Sequence, residues 1–300
     1  MPVRNGEIFL PKILETIISS LESEDELLII NDGSIDQTSY ILESWSKKYP
    51  QLRVLNSNGT GLVKALNLGL MESSNDWIAR YDVDDRYSSF RLSEQRKLID
   101  NNVAAIFCDY SLWSSKMDAI GVIPNAIQKS AVTVSLSNSQ RTPHPGVLFN
   151  RNLVMAVGSY LEDDFPAEDL SLWLRLSRAG DLIGVPRTLL DYRVSRNSTL
   201  GMRKKLAKNN SVQLLRKYPI PEYEINYCIE NWEELFNLYN QLPYGVERKI
   251  LFISDLIMAL KFTDIQSKMP KHILKELSKS AKTYSGSLNL LRIKILKNLN

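Results

Sequence analysis

Residues 76–85 read Asp76-Trp77-Ile78-Ala79-Arg80-Tyr81-Asp82-Val83-Asp84-Asp85, an apolar run that drives straight into a carboxylate cluster. The pattern predicts a buried strand ending in acid. Asp82, Asp84 and Asp85 carry up to three negative charges within one turn of chain. Such a density repels itself unless a cation or hydrogen-bond donors offset it. Hard divalent ions prefer oxygen ligands, and Mg²⁺ typically uses one or two carboxylates together with substrate phosphates. The cluster therefore reads as a site for a metal-bound phosphate ligand. The plain alternative is an acidic surface turn, or an N-cap leading into a helix near Ser88.

The stretches before it decide between the two. Apolar residues at Phe9, Leu10, Ile13, Leu14, Ile17, Ile18 and Leu21 mark one face of a helix. Glu26–Asn31 is a short apolar run stopped by Asp32-Gly33-Ser34, and residues 36–49 are again helical, closed by Pro50. Leu52–Leu55 predicts a further strand, Gly59 and Gly61 a turn, and Leu62, Ala65, Leu66 and Leu70 a helix. Strands alternating with helices at this spacing imply βαβ units, hence an α/β, mostly parallel central sheet with helices on both faces. Ligands of such sheets bind at the carboxyl ends of the strands, where both Asp32 and the Asp82–Asp85 cluster fall.

Composition sets the outer limits. The 300 residues are 44% hydrophobic and 24% charged, which describes a globular chain with room for one large domain and a smaller one. No apolar run approaches the ~20 residues of a membrane span, no secretory signal opens the chain, and a cytoplasmic address is expected. Cys108 and Cys228 have neither metal-site spacing nor a disulfide framework. The net charge of +3 conceals an asymmetry: residues 1–200 hold 20 Lys+Arg against 25 Asp+Glu, and residues 201–300 hold 17 against 9. The sign change coincides with a shift from alternating elements to helical segments only, so a boundary is expected near residue 200. An α/β domain of residues 1–200 and a basic helical region of residues 201–300 follow from it.

Taken in order, these motifs resemble the family 2 glycosyltransferases, enzymes of the Rossmann-like GT-A fold that bind nucleotide-diphosphosugars. Pro2-Val3-Arg4-Asn5-Gly6-Glu7 looks like the family's opening P-x-x-N-G-E, and Leu28–Ser34 like its second strand and D-G-S turn. Gly59–Gly69 resembles the G-x-x-x-A-x-N-x-G helix, Ala79–Asp85 the D-x-D signature, and Ser93–Leu98 its usual continuation. Ala167–Leu176 resembles the E-D-x-x-L-W-x-R-L motif. Any one of these is weak; six in order are specific.

The resemblance implies roles residue by residue. Asp32 matches the carboxylate that accepts from the uracil ring, with an Asx-type cap of its own turn as the alternative. Asp82 and Asp84 match the residues at the ribose and at the metal, Mn²⁺ or Mg²⁺, with Asp82 also near the metal and Asp85 beside the sugar. Pro2, Arg4 and Glu7 belong to the nucleotide-sugar loop, and Lys64 is a candidate cation beside the nucleotide or a solvated helix-face lysine. Asp169 matches the general base, with Glu168 as second choice; dipole complementarity at a helix N-terminus accounts for the same two acids. His144, beside a proline, reads as a packed turn residue ahead of a catalyst. The implied enzyme is an inverting, metal-dependent glycosyltransferase that uses a UDP-sugar donor and a saccharide or lipid-linked saccharide acceptor, as in bacterial surface polysaccharide synthesis. A non-catalytic nucleotide-sugar-binding protein with the same fold is the alternative.

Three departures stand out. Arg4 replaces a common aromatic residue, and Ser195 stands where relatives often carry histidine. Before Pro2 there is only Met1, where the family has several apolar residues of a first, central strand. Either that strand is cut short or the start lies inside the gene product; unpaired core backbone groups cost about 1–3 kcal/mol each, so low stability or compensation by a partner is expected. In the C-terminal region helices are expected over residues 203–218, 224–242, 246–262, 272–283 and 288–299. From Lys268 onward 8 Lys+Arg accompany one Glu among Leu, Ile and Met. Such a surface suits anionic lipid at the inner face of the cell membrane, or equally a helical cap with its lysines in water. Nucleic acid is not expected, because no aromatic platform accompanies the charge.

Overall fold

Strand β2 (Leu27–Asn31) is buried along its whole length and forms the middle of a parallel three-stranded sheet, β1 (Pro2–Val3), β2 and β3 (Leu52–Asn56). The structure, a computed structural model, describes residues 1–114, 119–138, 142–194 and 199–260. Helices α1 (Leu10–Ile18), α2 (Thr38–Lys48) and α3 (Leu62–Glu72) connect and cover this sheet. In α1 the 3.6-residue spacing places Leu10, Ile13, Leu14 and Ile17 in the core, each such burial stabilising by about 1.5–3 kcal/mol. Tyr49 turns extended ahead of Pro50 and ends α2, as the residue before a proline must.

A second, six-stranded sheet carries the rest. Its order is β4 (Trp77–Ala79), β8 (Leu148–Asn150), β6 (Val103–Ser114), β9 (Asp181–Val194) and β5 (Arg86–Tyr87), with β7 (Ala119–Ile123) also on β6. Only β6 and β9 run parallel there, so the parallel character expected from the sequence is concentrated in the half that holds Asp32. Helices α4 (Arg91–Arg96), α5 (Lys129–Ser135), α6 (Arg151–Ala156) and α7 (Glu168–Leu176) pack around it. The first strand is the two-residue β1, paired to β2 through Pro2 with Ile30 and Val3 with Asn31. One mostly parallel central sheet was expected from the sequence; instead β1 belongs to the three-stranded sheet and takes no part in the six-stranded one.

Four helices follow: α8 (Thr199–Lys217), α9 (Glu222–Glu230), α10 (Trp232–Asn240) and α11 (Gly245–Leu260). The single helix expected over 224–242 is two, because Asn231 leaves helical geometry (φ −103°, ψ 22°) and its side-chain amide donates back to the Tyr227 carbonyl. Within α10, Trp232 stacks on Phe236, ring centroids 4.2 Å apart. Leu214, Ile225, Leu235 and Phe252 share one apolar cluster with Phe107, Leu172 and Trp173. The helices expected over 272–283 and 288–299, and the basic stretch with them, lie outside the described residues.

Arg248 of α11 secures this junction. Its guanidinium, 1% exposed, donates to the Asp109 carboxylate of β6, to the Asn125 carbonyl and, through Nε, to the Pro243 carbonyl at 2.9 Å. Asp109 in turn accepts from the Asn125 amide at 2.7 Å. Removing one partner of a buried pair strands the other charge. Arg248→Ala is therefore expected to lower unfolding stability by about 3–5 kcal/mol in urea titrations, and Arg248→Met with Asp109→Leu to recover a large part of the loss.

Candidate active site

The opening loop and the Asp32-Gly33-Ser34 turn are laced together. Asn5 sits in the left-handed region (φ 54°); its amide donates to Ser34 Oγ at 2.9 Å, and its side-chain oxygen accepts from the Ile35 amide at 2.9 Å. The Gly6 amide donates to Thr38 Oγ1 and the Glu7 amide to Asp36, while the Glu7 carboxylate accepts from the Gln37 amide at the start of α2. Glu7 thus acts as a loop tie that satisfies a helix-terminal N–H. Gly33 has φ 68°, and a Cβ there would meet the Gly59 nitrogen at 2.8 Å, so only glycine lets the two turns approach.

Asp32 is buried, and its carboxylate accepts from Ser57 Oγ at 2.6 Å and the Gly61 amide at 3.0 Å. It ties the end of β2 to the glycine turn before α3, an arrangement different from a cap of its own turn, and lone pairs remain for an outside donor. Pro2 is in β1, Arg4 is exposed, and Lys64 makes an exposed ion pair with Glu162 at 3.6 Å. Exposed pairs of this kind contribute little.

At the end of β4 the chain leaves strand geometry and the acids spread apart. Asp82 accepts from the buried Arg80 guanidinium at 2.7 Å, and its amide donates to the Tyr87 hydroxyl at 2.7 Å. Asp84 is partly exposed, 3.8 Å from Arg193, whose guanidinium lies 4.6 Å over the Phe9 ring. Asp85 points inward: one oxygen accepts from the Arg193 amide at 2.8 Å and the other is buried without a partner. Burial first, and then the Asp82 charge, push Asp84 above the usual carboxylate range; burial with both neighbours pushes Asp85 further. The loop holds more negative charge than it neutralises. Among the described residues no three such side chains form a ready-made metal cage. The hard oxygens of Asp82 and Asp84, and the unrelieved charge on Asp84 and Asp85, nevertheless fit a divalent cation that takes its other ligands from phosphate and water.

Glu168 and Asp169 open α7, where helix N-terminal polarity favours anions. Burial raises both, and the Asp169 charge adds to the effect on Glu168, which moves to about 8; Asp169 moves to about 6. Arg80 and Asp82 act on both acids, Arg80 favouring the charged forms and Asp82 opposing them. The acid pair and the Asp82 loop thus occupy one electrostatic environment. His144 is buried, 2.8 Å from the Tyr160 hydroxyl and against Trp173, and burial together with Arg80 holds it well below the usual histidine range. It is a packed, neutral side chain, in line with the plain reading. Ser195 lies outside the described residues.

Two arginines escaped the sequence reading. Arg80 was legible, since residues two apart in an extended chain share a face and Arg80 precedes Asp82 by two. Arg193, over a hundred residues from Asp84, became visible only in the fold.

With this geometry in hand, known proteins can be compared. Residues 1–129 match the family described as "Glycosyl transferase family 2". The similarity to that family covers those first 129 residues. It is 26% identical over 207 residues to the UDP-Gal:alpha-D-GlcNAc-diphosphoundecaprenol beta-1,3-galactosyltransferase of Escherichia coli, spanning 65% of this chain and 72% of that protein. To the amylovoran biosynthesis glycosyltransferase AmsE of Erwinia amylovora it is 25% identical over 195 residues, 61% and 71% of the two chains. Staphylococcus aureus TarS residues 1–349 with UDP-GlcNAc superpose with a TM-score of 0.59 at 14% identity, over 99% of this chain and 87% of that one. The mannosyltransferase PcManGT of Pyrobaculum calidifontis, with GDP-Man and Mn²⁺, gives 0.53 at 16% identity, over 99% and 85%. Both superpositions establish the GT-A fold.

A raised carboxyl pKa means that the folded state binds more protons than the unfolded one, so stability falls as pH rises from about 4.5 through about 8 for Glu168. Glu168→Gln imitates the neutral form. It is expected to raise the thermal midpoint at pH 8 by more than at pH 5, as differential scanning fluorimetry at the two pH values would show.

Proposed function

We propose that this protein is an inverting glycosyltransferase that moves a sugar from a UDP-sugar to an acceptor hydroxyl. The observation that carries the reading is the convergence of the Asp82–Asp85 loop and the Glu168–Asp169 pair around the buried Arg80 cation. In this reading Asp32 accepts from the base, and Asp82 and Asp84 would hold Mn²⁺ or Mg²⁺. Bound there, the ion supplies Lewis-acid neutralisation of the charge that collects on the departing oxygens.

Asp169 supplies the base. A group that titrates near 6 is ionised at neutral pH yet basic enough to take a proton in the transition state. The acceptor oxygen attacks the anomeric carbon opposite the leaving group, and its proton passes to an Asp169 oxygen. The new C–O bond forms as the bond to the nucleoside diphosphate breaks, and that group departs with the electron pair. Glu168, raised to about 8, keeps its proton at neutral pH and is the weaker base candidate.

The E. coli and Erwinia relatives support an acceptor that is a saccharide or lipid-linked saccharide, in the synthesis of a bacterial surface polysaccharide such as O-antigen, capsule or lipopolysaccharide. Among the described residues no helix is long and apolar enough to cross a membrane. Work on a lipid-linked acceptor then calls for peripheral contact at the inner face of the cell membrane, for which the basic residues after Lys268 are suited.

Three experiments test the reading. Asp169→Asn, which keeps shape and removes basicity, is expected to lower transfer about 10²–10⁴-fold. UDP affinity with Mn²⁺ should stay within about threefold, because a general base acts on the acceptor proton alone; transfer near normal would exclude Asp169 as the base. Asp84→Ala is expected to abolish the Mn²⁺-dependent part of UDP binding in calorimetry. Slow UDP release from donor with Mn²⁺ and no acceptor would separate an enzyme from a non-catalytic binding protein.

A further inference from the structure

Toward the carboxyl ends of β6 and β9 the six-stranded sheet presents a further set of side chains beside Asp84. Register places Arg86 of β5 opposite Asp191 of β9, and Asp191 opposite Ser111 of β6, one row across three strands. Residues aligned in this way point to one side of the sheet. Two positions nearer the rim, Arg193 stands opposite Trp113 on that same side, and the Arg193 guanidinium lies 3.8 Å from Asp84. Trp113 is thus one strand spacing, ~4.8 Å along the backbone, from the residue that reaches Asp84.

The indole is pinned in place. Its N–H donates to Ser111 Oγ at 2.6 Å, and the Ser111 hydroxyl donates to the Asp191 carboxylate. Arg86 is exposed, follows the three carboxylates of residues 82–85 and faces Asp191 in register, yet its guanidinium makes no ion pair among the described residues. It crosses β9 instead and lies over the Trp113 ring, 5.6 Å from the centroid. A cation held by a ring face spends none of its N–H donors on the contact. An arginine held in this way is ready for an oxyanion, above all a phosphate, which it grips with two N–H groups at once.

We propose that Arg86, braced on Trp113, is a specificity-determining residue that binds a phosphate of the acceptor. The inference rests on the transferase reading given above, with its lipid-linked acceptor; the acceptor named for the E. coli relative joins sugar to lipid through a diphosphate. With such a group on Arg86, the hydroxyls of the adjoining sugar turn toward the Asp84 rim. The site then selects glycosyl diphosphates over free saccharides, because the charge and the paired hydrogen bonds are lost together when the phosphate is absent. The donor diphosphate is the other source of the same chemistry, and affinities measured separately tell the two apart.

Calorimetric titration of the 300-residue chain with geranyl diphosphate, in saturating UDP and Mn²⁺, reads the acceptor side without a transfer assay. Geraniol, the same tail without phosphate, is the control. The unsubstituted chain is expected to bind the diphosphate about tenfold or more tightly than the alcohol. Arg86→Gln should weaken that binding about tenfold or more, with UDP affinity within about twofold and Tm unchanged. Trp113→Leu, which removes the ring and keeps the cation, should weaken it about threefold. Unchanged affinity for geranyl diphosphate in either variant, or equal affinity of the unsubstituted chain for geranyl diphosphate and geraniol, overturns the proposal. So does a matching loss of UDP affinity in Arg86→Gln, which would assign the guanidinium to the donor. A chain that binds no UDP at all strikes the transferase reading, and this inference with it.

Discussion

A buried arginine sets the terms for everything around it. The Arg80 guanidinium is 5% exposed and comes from a strand that packs into the core, and a cation in such a place persists only when paired. Asp82 is the nearest partner, and the pairing draws the chain out of strand geometry as it enters the acidic loop. One cation does not neutralise three carboxylates, so Asp84 and Asp85 are left with raised protonation tendencies and an appetite for further positive charge. The same guanidinium lowers the cost of ionising Glu168 and Asp169 while making a charged His144 unfavourable. Acidic loop, acid pair and neutral histidine are shifted first by burial, and the Arg80 charge acts on all three.

Around that centre, neutral hydrogen bonds hold loops that have few apolar contacts of their own. Asn5 and Glu7 exchange bonds with residues 34–37, and Asp32 bridges to Ser57 and Gly61, so three turns at the carboxyl ends of β1, β2 and β3 form one surface. Rigid support of this kind is what a binding site on loops requires. On the far side, Arg248 and Asp109 fasten α11 to the longest parallel strand pair, and the helices after residue 199 share the core of the catalytic elements.

The division of legibility follows from range. Periodicity marked α1, α2, α3 and the strands between them, because burying one face is a local demand that each segment meets alone. The single helix expected over 224–242 ends at Asn231, which leaves helical geometry with its side-chain amide on the Tyr227 carbonyl, and Trp232 of the next helix packs near Phe252 of α11. Glu7 stood in a binding motif in the sequence, and one of its carboxylate oxygens accepts from the Gln37 amide, a partner set by how two loops meet.

The sequence by itself determined the class of the fold, the order of its motifs and the presence of excess acid at two strand ends, since alternation, turn residues and charge density act over a few residues each. Only the tertiary structure decided which groups answer that acid: Arg193 across the sheet beside Asp84, Tyr160 beside His144, and the acid pair of α7 within the field of Arg80. It also decided that β1 to β3 and the remaining strands form two separate sheets. The physical reason is that pairing of charges and completion of sheets depend on distances between remote segments, and those distances exist only once the chain has folded.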